Sequence, residues 1–318
     1  DIVAPWKKVE AKVGWIGPTY FGMQFREGGD GKPGEVPAFL GGLGRGPRLP
    51  QPQQPFGIAL TGGMTIAAEV NEQMLVEIGE FKHLVILDLG FTTLQNIQLK
   101  RIGDLKQLKM LSLSGSHVGI GPFKRPGDDG LKPLGNLTAL HTLELGNTAV
   151  GDPDVRHLLP MKQLRALYLH ATHVSNDGLK DVAMLTPLEV LHLSRCKHIS
   201  EPGLKELASL KHLRVLGLSH IPLTGACFKD LAALKDLESL NLFQTQLTDE
   251  GLKELTSFTK LKTLNLGNTR LSGQSVKSLA GFKDLEFLDL YGVPITDTGV
   301  KELLGLTKLR ALGLGQSQ

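Results

Sequence analysis

The chain has 318 residues, a formal net charge of +3, 21% charged residues and 41% hydrophobic residues. This composition is ordinary for a globular protein, and the length suits one large domain or two smaller ones. So small a net charge gives no reason to expect nucleic acid or an anionic membrane as the main partner. No apolar run approaches the roughly 18 residues of a membrane span, and no targeting segment indicates a compartment. Two cysteines, Cys196 and Cys227, are too few for a disulfide framework.

The first 54 residues differ in composition from the rest of the chain. Residues 1–25 are rich in aromatic side chains and predict a small N-terminal cap, whereas the Gly- and Pro-rich residues 28–55 predict a loop or semi-extended linker. The run PQPQQP in this linker could instead be a ligand of a proline-reading domain. We therefore expect a cap and linker over 1–54 and a second domain over 55–318. The aromatic residues of the cap are Trp6, Trp15, Tyr20, Phe21 and Phe25.

A repeated unit fills the second domain. The motif L-x-x-L-x-L recurs every 24 residues, apart from one interval of 32 and one of 25. Apolar residues recur at positions 1, 4, 6, 11, 16, 19 and 22, counted from the first leucine of each repeat. The L-x-L alternation predicts a short strand, and positions 16, 19 and 22 form one stripe of a helix. The motif begins at Leu84, Leu108, Leu140, Leu164, Leu188, Leu213, Leu237, Leu261, Leu285 and Leu309.

Each repeat is therefore expected to fold as a strand, a turn and a helix, and to bury its apolar face only by stacking on its neighbours. The expected units are a degenerate first repeat over 55–83, nine full repeats over 84–308 and a terminal strand over 309–318. Helix N-caps are expected at Ser175, Ser200, Thr248 and Thr296, each followed by an acidic residue within the first turn.

These repeats resemble leucine-rich repeats, and the segment LTDEGLKEL at 247–255 is similar to the ribonuclease-inhibitor-like class and to 24-residue bacterial-type repeats. The resemblance implies a right-handed α/β solenoid (a horseshoe) with parallel strands on its concave face and helices on its convex face. It also implies a non-enzymatic scaffold that binds a protein or peptide along the concave face and rim loops. The chain departs from the common pattern at position 9, where threonine replaces asparagine in most repeats; a hydroxyl there can still bond to turn backbone groups.

Two irregular places in the array allow more than one interpretation. The 32-residue repeat has eight extra residues within 119–130, and Phe123 and Arg125 at the tip would suit a partner contact, although a tolerated surface loop explains them equally well. The final strand, LRALGLGQSQ, has no following layer in the sequence. We therefore expect that the array continues, or that another chain masks this strand by self-association.

The sequence predicts no enzyme and no cofactor, because the common nucleophile, zinc-protease and phosphate-loop motifs are absent. A cluster of histidines falls on outward positions of neighbouring repeats. A divalent metal could use His170 and His192 with Glu144, or the cluster could be a polar patch that contacts a partner. The residues of this cluster are Tyr168, His170, His192, Arg195 and His220, with His117 and His173 in the following turns.

A second group on the same face combines Phe243, Phe287, Asp289 and Tyr291, with Asn241 and Asn265 between them. Aromatic side chains on a polar sheet are typical of interfaces. Three functions therefore stay open. The first is a protein- or peptide-binding scaffold, the second a protein that binds a metal or small ligand through the histidines, and the third a structural spacer.

Overall fold

In the computed structural model, the chain divides into two compact units, Asp1–Tyr168 and Leu169–Gln318. The boundary expected after residue 54 stays a prediction. The structure describes residues 12–19, 22–27, 30, 32, 35–40, 52–60, 68–70, 72–118 and 130–315.

In the second unit, each repeat contributes a three-residue strand at positions 3–5, and neighbouring strands pair in parallel without a shift in register. Leu216, Leu240 and Leu264 are aligned across three adjacent strands and are buried. The repeated leucines therefore form a continuous ladder on the inner side of the sheet. The strands are Val190–His192, Val215–Gly217, Ser239–Asn241, Thr263–Asn265, Phe287–Asp289 and Ala311–Gly313.

Short helices connect these strands and bury the predicted stripe; in the repeat that begins at Leu237, Leu252, Leu255 and Phe258 are all buried. Several helices are wholly or partly 3₁₀, because each connection has room for only one or two turns. The α-helices are Asn176–Val182, Glu201–Leu204, Asp249–Glu254 and Asp297–Glu302, and the 3₁₀ segments are Lys205–Ser209, Ala226–Lys229, Leu255–Ser257, Gly273–Gly281 and Leu303–Gly305.

Three of the four predicted helix caps are confirmed. The Ser175 hydroxyl accepts a hydrogen bond from the backbone N–H of Asp177, and the hydroxyls of Thr248 and Thr296 accept from backbone N–H groups three residues on. Ser200 is an N-cap by position but makes no cap bond; its hydroxyl instead accepts from Nδ2 of Asn176 in the preceding repeat, at 2.8 Å. The predicted cap interaction at Ser200 is therefore wrong, because a bond between repeats replaces it.

The turn after each strand has the same backbone conformation in every described repeat. Position 8 is left-handed, with φ between 53° and 72°, although only Gly115 and Gly292 of the nine residues are glycine. At position 9 the predicted hydroxyl ladder is confirmed: Thr172 donates to the Leu169 carbonyl at 2.7 Å, and the other threonines bond in the same way. The residues at position 8 are Phe91, Gly115, Asn147, Ala171, Arg195, His220, Gln244, Asn268 and Gly292.

The first unit combines the same repeat with an antiparallel N-terminal part. Lys12–Thr19 pairs antiparallel with Gly22–Glu27 and with Val36–Leu40, and Val36–Leu40 then begins the parallel series. Residues 36–40 thus form a sheet strand within the segment for which the sequence predicted a loop or semi-extended linker. The parallel series continues with Phe56–Ala59, Leu84–Asp88, Met110–Ser112, Thr142–Glu144 and Ala166–Tyr168.

The N-terminal strands pack against the outward side of the first repeats. Ile16, Ile86 and Met110 belong to one buried cluster, and Phe25 packs against it. Gly57 lies between Ile16 and Ile86, where a Cβ atom would meet both side chains. One predicted cap aromatic, Phe25, therefore has the expected packing role, while Trp6, Tyr20 and Phe21 lie outside the residues whose side chains are described.

The remaining elements of the first unit lie between its strands. Three short strands, Ala68–Glu69, Thr92–Leu94 and His117–Val118, form a second parallel sheet in the turns. The helices are Glu72–Gly79, Asn96–Gly103 and Asp152–Arg156, with a 3₁₀ segment at Lys132–Asn136. The predicted fold class, an α/β leucine-rich-repeat solenoid, is confirmed by these repeated strand–turn–helix units.

Candidate functional site

The candidate site is the outward side of the strands in the second unit, which we call the strand face. It is formed by positions 3, 5 and 7 of the repeats, because side chains alternate between the two sides of a strand. In the strand Phe287–Asp289, Leu288 points into the core and is buried, whereas Phe287 is 46% exposed. The core positions carry the same kind of residue in every repeat. Function is therefore expected to depend on the outward residues, which differ between repeats.

Besides His173 in a turn, the members of the predicted histidine cluster that lie in this unit are His170, His192, Arg195 and His220. His220 Nε2 is 3.4 Å from Nη2 of Arg195, and the His220 ring meets the Phe243 ring edge-on with 5.6 Å between their centroids. Arg195 and His220 both occupy the left-handed position 8, which places their side chains at the rim of the strand face. The structure therefore brings Arg195, His220 and Phe243 together.

The surroundings of His170, His192 and His220 keep these three imidazoles neutral near pH 7. Burial, and to a smaller extent the neighbouring His170, lowers the pKa of His192 to about 4. Burial and then the charge of Arg195 lower the pKa of His170 and of His220. Each protonation would place a cation in a poorly solvated position beside another cation or imidazole.

Two predicted contact residues are less accessible than their outward positions suggested. Tyr168, which lies in the first unit, is 4% exposed, and His192 is 8% exposed. Both occupy position 5, the last residue of a three-residue strand. The outward register of position 5 therefore does not expose these two side chains.

The metal interpretation finds no support in the geometry. Glu144 belongs to the first unit and is 5% exposed, whereas His170 and His192 belong to the second. Within the described part of the chain, no three His, Cys, Asp or Glu side chains are arranged to hold a metal ion.

Both cysteines are free and buried. The Cys196 thiol takes the place of the threonine hydroxyl at position 9 and donates to the Leu169 carbonyl at 3.0 Å. Burial raises the pKa of Cys196, and burial with the charge of Glu201 raises the pKa of Cys227 to about 12. These thiols are structural rather than nucleophilic.

Aromatic rings on the strand face lie over glycines of the next repeat. A Cβ on Gly267 would be 2.9 Å from Cδ2 of Phe243, and a Cβ on Gly315 would be 2.6 Å from Cδ2 of Tyr291. The glycine in each case has the same repeat position as the ring, one repeat later. The missing side chain therefore leaves the space in which the ring rests on the sheet.

A row of three polar side chains crosses the same face at position 5. Asn241, Asn265 and Asp289 are in register on adjacent parallel strands, and neighbouring strands are about 4.8 Å apart. Each Oδ1 accepts a hydrogen bond of 3.0 Å from the backbone N–H two residues on. This bond fixes the rotamer, and no described residue accepts from Nδ2 of either asparagine.

The sequence predicted these residues as contact residues, but not the contacts that position their side chains. The sequence pattern that indicates these contacts is a glycine at position 5 or 7 that follows a large residue at the same position of the preceding repeat, as in Phe243 and Gly267. The other predicted contact group, Phe123 and Arg125 in the 119–130 insertion, lies outside the described residues.

Comparison with known proteins agrees with the repeat pattern. A family model described as a leucine-rich repeat matches residues 185–208 and 233–255. The chain contains leucine-rich repeats. The ribonuclease-inhibitor-like, bacterial-type subclass stays a prediction. No helix among the described residues is long and apolar enough to cross a membrane.

Two solved structures share the fold of this leucine-rich-repeat protein. An internalin (inlF) from Listeria monocytogenes matches 81% of the chain and 77% of its own, with a TM-score of 0.54 and 19% identity. Internalin C2 (inlC2) from the same organism matches 69% of the chain and 83% of its own, with a TM-score of 0.53 and 24% identity. At these identities the likeness concerns the fold.

A sequence relative is the receptor-like protein EIX1 of Solanum lycopersicum, which is 31% identical over 120 residues. The match covers 37% of the chain but 11% of that relative, so the chain spans about a tenth of the relative's length.

Proposed function

We propose that this leucine-rich-repeat protein is a non-enzymatic scaffold that binds a protein or peptide on the strand face of the unit Leu169–Gln318. The proposal rests on one observation: the rings of Phe243 and Tyr291 occupy the space that side chains on Gly267 and Gly315 would need. With the exposed ring of Phe287, they give one face three aromatic side chains. Aromatic anchors of this kind contribute a large share of the binding energy in protein interfaces.

Gly267 and Gly315 matter because their lack of a side chain lets the rings of Phe243 and Tyr291 rest on the sheet before a partner binds. A side chain that is already ordered loses less conformational entropy on binding, and each immobilised side chain otherwise costs about 0.5–1.5 kcal/mol. The position-5 row adds polar groups whose rotamers are fixed by their own backbone. Asn241 and Asn265 offer amide donors to a partner, and Arg195 and His220 offer polar contacts at the rim.

The proposed site contains part of the residue set that the sequence predicted. Phe243, Phe287, Asp289 and Tyr291 form its centre, and His170, Arg195 and His220 form one edge. His192 is buried and is therefore not part of the proposed contact surface. Tyr168, Phe123, Arg125 and self-association through the C-terminal repeat stay predictions.

The test is a capture experiment with matched variants. Wild-type protein, a Phe243→Glu/Phe287→Glu variant and a Met184→Glu/Leu304→Glu variant are immobilised and exposed to extract from the source organism. Met184 and Leu304 are large exposed apolar residues in the helical connections, away from the strand positions. Bound proteins are then quantified by mass spectrometry, after thermal melting has shown that all three proteins are folded.

The expected result is a partner that the wild type and the Met184→Glu/Leu304→Glu variant capture equally, and that the Phe243→Glu/Phe287→Glu variant loses. Loss of one interface hot spot typically costs about 2 kcal/mol or more, which is a reduction in affinity of roughly thirtyfold. Equal capture by all three proteins would contradict the proposed face.

A further inference from the structure

One repeat on the strand face alternates aromatic and acidic side chains. In the repeat that begins at Leu285, Phe287, Asp289 and Tyr291 occupy positions 3, 5 and 7. Successive residues on one side of a strand are about 6.6–6.8 Å apart. Phe287 and Asp289 are the two ends of one strand, and Tyr291 follows in the turn. Asp289 therefore stands between two aromatic residues, of which Phe287 is nearly half exposed.

The carboxylate is held in place by its own turn. Asp289 Oδ1 accepts a hydrogen bond of 3.0 Å from the backbone N–H of Tyr291, and a Cβ on Gly313 would be 2.5 Å from this oxygen. Gly313 and Gly315 follow at the same positions of the next repeat, so neither of these two positions carries a side chain that could cover Asp289 or Tyr291. The second oxygen, Oδ2, bonds to no described residue.

Asp289 has no cationic partner among the described residues, whereas several other carboxylates of the same unit are paired. Asp236 pairs with Lys260, and Asp284 pairs with Lys308, each across one repeat. The inter-repeat pairs also include Glu238 with Arg214 and Lys262, and Glu286 with Arg310. The residues level with Asp289 on the neighbouring strands are Asn265 and Gly313, and neither carries a charge.

We propose that Phe287, Asp289 and Tyr291 form a recognition site for an arginine side chain of the protein or peptide partner. This inference rests on the proposed function and specifies the chemistry of its partner. A guanidinium donates two parallel hydrogen bonds to a carboxylate and stacks on aromatic rings, and rings flanking a carboxylate offer both interactions. Arginine fits better than lysine, because an ammonium group is a compact charge without a planar face.

The chain allows a direct test, because it has only three tyrosines, Tyr20, Tyr168 and Tyr291. Protein labelled with 3-fluorotyrosine gives three ¹⁹F signals, and a Tyr291→Phe variant assigns that of Tyr291. The probe is N-acetyl-arginine methylamide, titrated at millimolar concentrations. Its neutral isostere, N-acetyl-citrulline methylamide, is the matched control ligand.

The arginine probe should move the Tyr291 signal in a saturable way, leave the Tyr168 signal in place and act at least about tenfold more strongly than the citrulline probe. Asp289→Asn, which keeps the shape of the side chain, should abolish the difference between the two probes. Asp284→Asn removes an exposed carboxylate that is already paired with Lys308 and should change nothing.

An equal response to citrulline, an unchanged response in Asp289→Asn, or a Tyr291 signal that ignores arginine would each overturn the arginine site. The proposed function would survive such a result if the Phe243→Glu/Phe287→Glu variant still lost its partner. Conversely, the capture experiment could fail while the arginine titration succeeds. The arginine site would then bind the small probe but have no macromolecular partner, so each proposal can fail without the other.

Discussion

Phe243 occupies the space that a side chain on Gly267 would need, with 2.9 Å between its Cδ2 atom and the Cβ position of that glycine. The same relationship joins Tyr291 to Gly315 and His192 to Gly217. In each pair the two residues have the same repeat position and are one repeat apart. The large side chains of the strand face therefore lean toward the C-terminal neighbour wherever that neighbour is glycine.

The first prediction tests this seating at Tyr291. Gly315→Ala should displace the ring, because the new Cβ would lie 2.6 Å from Cδ2. We expect the ¹⁹F signal of Tyr291 in fluorotyrosine-labelled protein to shift while that of Tyr168 stays in place. The free energy of unfolding should change by less than about 0.5 kcal/mol, since a ring on the surface can rotate away. An unchanged Tyr291 signal would contradict the close contact between the Tyr291 ring and Gly315.

A second prediction concerns glycines at backbone contacts between repeats. Gly251→Ala should destabilise the protein by about 2–4 kcal/mol, because its Cβ would collide with the Thr224 carbonyl oxygen and lie 2.8 Å from the Gly225 Cα atom. The matched control is Gly281→Ala, where no other atom lies within 4 Å of the new Cβ.

The control should be neutral or stabilising by up to about 1 kcal/mol, since alanine reduces the entropy of the unfolded chain. Urea unfolding monitored by circular dichroism measures both variants. If Gly251→Ala and Gly281→Ala had the same midpoint, the packing between the repeats at Gly225 and Gly251 would be looser than the structure shows.

The parts of the fold that could be predicted are those set by local periodicity. The leucines at positions 4 and 6, the helix stripe and the threonine at position 9 recur with fixed spacing, and the structure uses them as expected. The left-handed position 8 was missed, although glycine or asparagine occupies four of the nine sites, because Arg195 and His220 adopt it as well. Their conformation depends on the stacked turns rather than on their own preference.

The sequence predicted which residues belong to the candidate site, but not which of their side chains are exposed or which residues they contact. The outward register of His192 followed from the strand pattern, but this pattern does not show that the side chain is buried. Which ring leans on which glycine is a contact between repeats, about 24 residues apart in sequence. A pattern read within one repeat carries no information about it.

The third prediction is that stability falls as the pH falls through the titration range of His192. Its pKa is about 4 in the folded protein and 6.5 when unperturbed. The unfolded chain therefore binds the proton first, so the stabilisation is complete above pH 6.5 and is lost as the pH falls toward 4. Between about pH 7.5 and pH 5 this group alone should cost about 2 kcal/mol. His170 and His220 act in the same direction, since their pKa values are also lowered.

The measurement is the free energy of urea unfolding at both pH values for the wild type, His192→Gln and His212→Gln. Replacing His192 should reduce the pH dependence by about 2 kcal/mol, and His212→Gln is the control for the loss of an exposed histidine. Equal pH dependence in all three proteins would show that His192 is solvated in the native state.

The last prediction is that both thiols resist modification while the protein is folded. Only the thiolate reacts, and burial raises the pKa of Cys196 while burial and Glu201 raise that of Cys227 to about 12. At about pH 8, Ellman's reagent should therefore react with neither thiol in native protein and with both after denaturation in urea. A Lys211→Cys variant, with a thiol at an exposed position, should react once per native chain and shows that the reagent is active. Rapid modification of native wild-type protein would mean that the repeats beside Cys196 or Cys227 open far more often than their packing implies, because labelling would then follow the open population.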